Sequence, residues 1–599
     1  MESRKFKYLI LLVSAISVAF LYLSFADITL LFSPLTADVR FELAVGRELN
    51  LRESYLFGVK EGGRYRMLYR FWREPLSFKE RPGAPHVLLR ELSGSPYFYA
   101  KDYRGRVEGN FPPRFKSLIK ALAMKNEVGL FEPSYFRKGV YLLTASYLLY
   151  PPVEFFEGLG HVNLKLADEH VPYPRVLLTV YDPEQKVVEL CPHFPYYSLK
   201  RSGDVYLIEG YAPAGALLGV ELLLKGEVNG FLREYPSLLS SFRQANRLPQ
   251  LAHGLWLLLL WLGRAFLVLL PPLLLYLYRR FGREREFTVP YFLSYIPNPE
   301  RPPWLVNLVF TGDAFEGDEN GFYATLLDLH RRGVVELKEG GEVVIKGSLP
   351  REPYERELLT FLTRFSKVED GKRVFKPLYI KEVARRLRLN SDITGLKLLK
   401  GEIERLLNYS NPLLSGRFVD RRGSALIKLL ALFSFLFTGA LILLLLLFGR
   451  VLFYTFDLYP LIFLSLGLSL SLFLCLLLPT QFFGRWRENY YFERLQWEAF
   501  RNFLRDVAAI KKYAPQDLSI WKEWLIYGTA LGVADGVKRA MEELKVEIPE
   551  VREIETFRTY FSSGYSEVNS SISSLSGGGS GGSSFGGGGG FGGGGAGGR

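Results

Sequence analysis

The sequence predicts a multi-domain α-helical membrane protein that carries an extracytoplasmic β-sandwich-like domain. Three observations predict it. Four apolar runs, Tyr8–Phe25, Gly254–Tyr278, Ala425–Phe448 and Leu458–Pro479, each approach the roughly 20 residues a helix needs to cross a bilayer core. Basic residues flank them in a consistent order: Arg4, Lys5 and Lys7 before the first, Arg279, Arg280, Arg283 and Arg285 after the second, Arg417, Arg421, Arg422 and Lys428 entering the third, Arg485, Arg487 and Arg494 leaving the fourth. A long stretch of period-two sequence lies between the first run and the second. Positive residues stay on the cytoplasmic side, which places residues 27–250 outside and both 279–424 and the C-terminus inside.

Residues 1–26 read as a signal anchor or a signal peptide. The charged start and apolar run fit both, and Ser24-Phe25-Ala26 offers the small residues of a cleavage site.

Residues 27–250 read as strands. Val39, Phe41, Leu43 and Val45 alternate with Arg40, Glu42 and Ala44, while Tyr65, Met67, Tyr69 and Phe71 alternate with Arg64, Arg66, Leu68 and Arg70. Alternation of this kind marks a sheet with one buried face. Further β-rich runs at Val140–Tyr150, Val176–Tyr181, Val205–Tyr211 and Leu217–Lys225 favour a sandwich. Arg114–Lys125 is expected to be a helix or a loop insertion.

After the span 254–278, residues 279–424 change texture. Asp318 or Asn320 can cap a helix through Arg332, with Phe322, Leu326 and Leu329 on one face and Gly333 at its end. Val334–Lys338 and Val343–Lys346 flank Gly340-Gly341, a hairpin signal. A helix followed at once by a hairpin predicts a cytosolic winged-helix-like unit, with more helices at Tyr354–Phe365, Ile380–Leu387 and Leu396–Leu407. Residues 425–479 form a hairpin of two spans joined by a turn at Gly449–Asp457. Residues 480–561 are helical, with Trp497, Phe500 and Leu504 on one face. From Ser562 to Arg599 the chain is Ser- and Gly-rich, with too little apolar surface to offset ordering entropy, and it is expected to be disordered.

Composition fits this organisation. The chain has 599 residues, 48% of them hydrophobic and 23% charged, a mixture of spans and globular sequence. The formal charge of +13 would suit nucleic acid, but much of the excess lies at span ends. Cys191 and Cys475 fall in different compartments, so no disulfide framework is expected.

The order of parts resembles that of the YciQ-like predicted membrane proteins, domain-of-unknown-function family 2207 (DUF2207). The most specific resemblance is the run Trp524-Leu525-Ile526-Tyr527-Gly528-Thr529-Ala530-Leu531-Gly532-Val533-Ala534, in which Gly528 stands where Ala is more usual. Ala324–Gly333 resembles the family's helix before its hairpin. The outer domain is similar in strand order and at Tyr65–Arg70. The resemblance implies no activity, catalytic residue or cofactor.

The residues themselves carry little chemistry. Gly578-Gly579-Ser580-Gly581-Gly582 satisfies the G-x-S-x-G pattern, but without a strand–turn–helix context. His161, Asp168, Glu169, His170, Cys191 and His193 are the one cluster of plausible ligands, at spacings that match no zinc pattern. No catalytic residue, metal or cofactor is therefore expected, and the chain reads as non-enzymatic. Trp521 and Trp524 are expected to be packing residues. Arg264 is the exception within the spans, about 15 Å along the second helix. An intramembrane charge is a functional candidate, set against snorkelling to the interface or a structural contact with Asp457, the nearby acid in the turn between the last two spans. The spans hold no chain of acids or histidines, which argues against a proton relay.

The leading function is a scaffold or signal relay that joins the outer β-domain to cytosolic protein partners, with the lipid bilayer as the other partner. The alternatives are a membrane-tethered DNA-binding regulator and a transporter. Nucleic acid is not expected, because Glu316, Asp318, Glu319 and Asp328 surround the helix that would read it.

Overall fold

The computed structural model describes residues 2–25, 33–80, 83–312, 316–347, 350–452, 457–513, 516–575 and 596–599. The chain divides into two compact units, one holding Arg4–Pro272, Leu430–Phe473 and Gly586–Arg599, the other holding Met1–Ser3, Leu273–Leu429 and Leu474–Phe585. The class is mixed rather than α-helical, because the first unit is dominated by sheet.

The first unit opens with helix α1 (Glu2–Leu23). The strands that follow are β1 (Leu35–Val45), β2 (Leu49–Val59), β3 (Met67–Phe71), β4 (Leu76–Ser77), β5 (His86–Gly94), β6 (Tyr97–Lys101) and β7 (Val107–Asn110). Helix α2 (Lys116–Leu122) resolves the expected helix or loop insertion in favour of a short helix. Next come β8 (Glu127–Phe131), β9 (Gly139–Tyr150), β10 (Pro152–Phe156), β11 (Leu159–Ala167), β12 (Tyr173–Tyr181), β13 (Val187–His193), β14 (Tyr196–Ser202), β15 (Val205–Ala212), β16 (Leu218–Lys225) and β17 (Phe231–Glu234).

Three sheets result. The largest runs β14-β15-β12-β1-β2-β9-β5-β4, the second β13-β16-β11-β10-β17, and the third contains β3-β8-β6-β7. Period-two patterning builds the core. Leu35, Ala37, Val39, Phe41, Leu43 and Val45 of β1 are buried and pack with Val162, Leu164, Val220 and Leu222 of the second sheet, as two facing sheets require. The third sheet covers α2 through Met67, Tyr99, Ile119 and Phe131.

One expected face is reversed. Arg70 was placed on the polar side of its strand, yet it is 1% exposed. Its guanidinium meets the Glu53 carboxylate at 3.2 Å, donates to the Leu166 carbonyl at 2.8 Å and lies 3.9 Å from the Trp72 ring. It thus ties strands of all three sheets together.

Helix α3 (Leu238–Leu277) is a single 40-residue helix, about 60 Å long. It starts well before the expected span. Leu238 and Phe242 pack with Cys191 and Leu223 of the second sheet, whereas Trp256, Leu260 and Leu267 pack with Leu441, Leu461 and Leu464.

In the second unit the helices are α4 (Pro303–Phe310) and α5 (Glu319–Arg331), followed by the hairpin β18 (Val335–Lys338) and β19 (Glu342–Ile345). Asp318 caps α5 by accepting from the Asn320 amide, and Gly333 ends it at φ +75°, where a side chain would be strained. Helix α6 (Pro353–Arg364) and a second hairpin, β20 (Lys367–Glu369) and β21 (Lys372–Phe375), repeat the motif. The hairpins join as a four-stranded sheet, β18-β19-β21-β20, so the expected wing is not a free flap. Every residue from Gly321 to Leu329 of α5 is buried.

Then follow α7 (Leu378–Leu389), α8 (Ile393–Leu407), α9 (Pro412–Phe418), β22 (Val419–Asp420), α10 (Arg422–Leu452), α11 (Tyr459–Leu476), β23 (Arg485–Trp486), α12 (Tyr490–Arg505), α13 (Val507–Lys512), α14 (Leu518–Ala530), α15 (Ala534–Leu544) and α16 (Pro549–Leu575), of which the stretch Leu430–Phe473 of α10 and α11 belongs to the first unit. Among the described residues, α1, α3, α10 and α11 are the helices long and apolar enough to cross a membrane. Residues 453–456 of the expected turn lie outside the described residues.

The expected disordered tail is corrected at its start. Ser562–Leu575 continues α16, because Phe557, Phe561, Tyr565, Val568 and Ile572 repeat at helical spacing, with Val568 fully buried. At the far end, Ala596–Gly598 forms β24, paired antiparallel with β3. The intervening 576–595, including Ser580, Phe585 and Phe591, lie outside the described residues.

Candidate functional site

Arg264 and Asp457, weighed above as a possible pair beside snorkelling of the arginine, both line one cavity of about 460 Å³. They do not bridge there. Arg264 donates to the Ser24 carbonyl at 3.0 Å and to its hydroxyl at 3.3 Å, with its guanidinium 3.8 Å from the Phe25 ring. Asp457 accepts from the Tyr211 hydroxyl at 3.1 Å and the Tyr459 amide at 2.9 Å, while its carbonyl accepts from the Trp256 indole at 2.7 Å. Because α3 starts early, Arg264 lies level with the last residues of α1 and the first of α11. It stands at the border between the apolar helices and the polar residues Ser24, Tyr211 and Asp457.

The lining also includes Tyr197, Tyr211, Trp256, Trp261, Tyr459 and apolar residues of α3. Aromatic rings with an apolar body and a polar tip suit such a border. A concave site of this make-up accommodates a ligand with an apolar body and a polar end.

The six-residue cluster of plausible metal ligands splits in two. His161, Cys191 and His193 gather around a residue the sequence reading missed, Glu221 of β16. The His161 and His193 Nε2 atoms lie 3.6 and 3.4 Å from its carboxylate, His161 Nδ1 is 3.0 Å from Glu154, and Asn246 of α3 donates to Glu221 at 2.7 Å. Gln250 of α3 contacts the Cys191 sulfur at 2.9 Å. Burial alone would raise the Glu221 carboxyl, but hydrogen bonds from His161, His193 and Asn246 hold it well below the usual carboxylate range. Burial opposes the His161 imidazolium, yet bonds to Glu221 and Glu154 leave its pKa raised. Burial pushes the Cys191 thiol up to about 12, which disfavours the reactive thiolate form.

Asp168 and Glu169 instead reach Arg73, at 3.1 and 2.6 Å. His170 lies against the Val171 and Ala216 carbonyls, and burial lowers its pKa to about 4. Among the described residues no group of three His, Cys, Asp or Glu side chains is placed to hold a metal ion. The signal for Glu221 was a single acid inside the apolar run Leu218–Leu224, opposite Asn163 and Cys191 in register.

The motif around Gly532 is architectural. Gly532 turns at φ +69° between α14 and α15, the Ala530 carbonyl accepts from buried Asn307 at 2.9 Å, and Trp521 stacks edge-on with Trp524 at 5.4 Å.

Comparison with known proteins finds two family models. One, described as predicted membrane protein (DUF2207) N-terminal domain, matches residues 36–224; the other, predicted membrane protein (DUF2207) C-terminal domain, matches residues 290–541. No curated protein matches the chain. Among solved structures, the M1 zinc metallopeptidase from Deinococcus radiodurans is 11% identical, with a TM-score of 0.18 over 32% of this chain and 42% of that one. Legionella pneumophila aminopeptidase A in complex with aspartic acid is 7% identical, with a TM-score of 0.20 over 32% of this chain and 21% of that one. The chain thus spans less than half of either.

Proposed function

We propose, for a chain that belongs to the predicted membrane proteins of the DUF2207 family, a non-enzymatic relay in which α3 carries a change in the β-domain to cytosolic partners of the helical unit. The carrying observation is that one unbroken helix is held at one end by Phe242, Asn246 and Gln250 against the second sheet and farther along by Trp256, Leu260 and Leu267 among the apolar helices. A rod clamped in this way transmits tilt and rotation, and the cavity at Arg264 sits at its middle.

In this reading residues 27–250 are outside, while 279–424 and the helical region from 480 are inside. Support comes from Arg280, Arg285, Arg422, Arg485 and Arg487, which line one shared cavity, as residues gathered on the positive side of a membrane would. The contact of Phe20 with Gly467, where an added Cβ would come within 2.6 Å, supports an α1 retained as an anchor. The enclosure of α5 on all faces weighs against the DNA-binding alternative.

Phe242→Ala in the full chain, reconstituted in lipid nanodiscs, should change amide hydrogen exchange within residues 290–575 as α3 loosens from the sheet. Exchange there that stays the same as in the parent protein would overturn the relay.

A further inference from the structure

Residues 596–599 lie in a slot at the edge of the third sheet of the β-domain. β24 adds to the free edge of β3, with Ala596, Gly597 and Gly598 opposite Arg70, Tyr69 and Leu68. The Arg599 amide donates to the Met67 carbonyl at 3.0 Å, its carbonyl accepts from the Arg66 and Met67 amides, and the Ala596 carbonyl accepts from the Val171 amide at 2.9 Å. An unpaired sheet edge captures extended peptide in this manner.

Side chains then set what fits. A Cβ on Gly598 would lie 2.6 Å from the Tyr65 ring and 2.8 Å from Leu35, and one on Gly597 would lie 3.0 Å from the Tyr69 hydroxyl. Ala596 is 2% exposed. The next position takes an arginine. The Arg599 guanidinium lies 4.1 Å from the Tyr69 ring, donates to the Leu122 carbonyl at 2.7 Å and pairs with Glu127. Glu127 is fully buried, and it also accepts from the Tyr99 hydroxyl and from the Met124 amide at 3.1 Å. A buried carboxylate without a cation is costly, so the slot calls for one.

Three apolar helices, α3, α10 and α11, separate β3 from β24 along the chain. Three crossings put two segments on opposite sides of a membrane. Under the topology of the proposed relay, on which this inference rests, the chain's own end therefore cannot fill the slot of an inserted molecule. We infer that the β3 edge is a binding site for an extended peptide of a partner on the β-domain's side, with small residues at three successive positions and arginine at the fourth. The strand 596–599 displays that ligand's chemistry.

The test uses the full chain in sealed vesicles with the β-domain outward, its sidedness checked by protease, and a fluorescent Gly-Gly-Gly-Ala-Gly-Gly-Arg amide as probe. Saturable binding should fall at least tenfold with Glu127→Gln. It should also fall when the probe carries citrulline for arginine or valine for its last glycine, two controls that do not depend on the variant's folding. Binding that is absent, or indifferent to all three changes, overturns the site. Ala596→Cys paired with Val171→Cys in intact cells separates the two sources. No cross-link is expected. A cross-link would overturn both the partner assignment and the crossing count, while leaving a relay through α3 testable by hydrogen exchange.

Discussion

Arg70 and Glu53 form an ion pair at 3.2 Å with both side chains essentially removed from solvent, 1% and 0% exposed. The pair is the point at which the third sheet is fastened to the first. Removing one partner leaves a buried charge, so Arg70→Ala should cost about 3–5 kcal/mol, whereas Arg70→Met with Glu53→Leu should restore most of it. Denaturant unfolding of the full chain in detergent, followed through β-domain fluorescence, measures both. A double variant no better than the single one would contradict the ion-pair account.

Arg264 is anchored to the end of α1 and not to Asp457. Arg264→Leu should insert and accumulate normally but lose about 1.5–3 kcal/mol, the range of hydrogen bonds to charged groups. In a double-mutant cycle its coupling to Asp457→Asn should stay below about 0.5 kcal/mol. A coupling several times larger would restore the direct pair.

The end of α16 packs through Tyr565, Val568 and Ile572. A chain ending at Phe561 should lose about 3 kcal/mol or more, given roughly 1.5–3 kcal/mol for each fully buried aliphatic side chain. One ending at Leu575 should match the parent in stability. Equal stability of the two truncations would make the packing of 562–575 inconsequential.

The His161–Glu221 contact gives the seat of α3 a pH dependence. His161 has a raised pKa in the folded protein, so its contribution is complete below the unfolded value of about 6.5 and is lost as pH rises through the folded one. Glu221 is depressed, so its contribution is present above the ordinary carboxylate range and is lost only in stronger acid. Between pH 6 and pH 8 the melting temperature of the parent should fall relative to that of His161→Gln. Parallel melting curves across that window would dismiss the effect.

What could be read in advance was local. The four apolar runs, the Asp318 cap, the Gly333 stop and the hairpin around Gly340-Gly341 depend on neighbours within a turn or two, and each is where its pattern put it. Arg70 was misplaced because its burial depends on Glu53, on a different sheet. Glu221 escaped notice because two histidines and an asparagine from three other elements make its site. Ser562–Leu575 looked too polar for order, yet one apolar residue per turn suffices when α7 supplies the other face of the contact. The neighbours of Arg264 could not be foreseen, since nothing in the apolar run told that Ser24 and Phe25 would lie beside it.

Helix α3 also contains Pro249, Pro271 and Pro272. A proline within a helix lacks the amide that would bond one turn back, so bending concentrates there. These positions bracket a stiff segment of about 20 residues, roughly 30 Å long, with Arg264 on it. A swing of only about 5° at the Pro249 joint moves the far end by about 2.6 Å, half the rise of a helical turn. In the proposed relay the three prolines serve as joints, so the gain of the lever is set by where they lie rather than by how strongly either end is held.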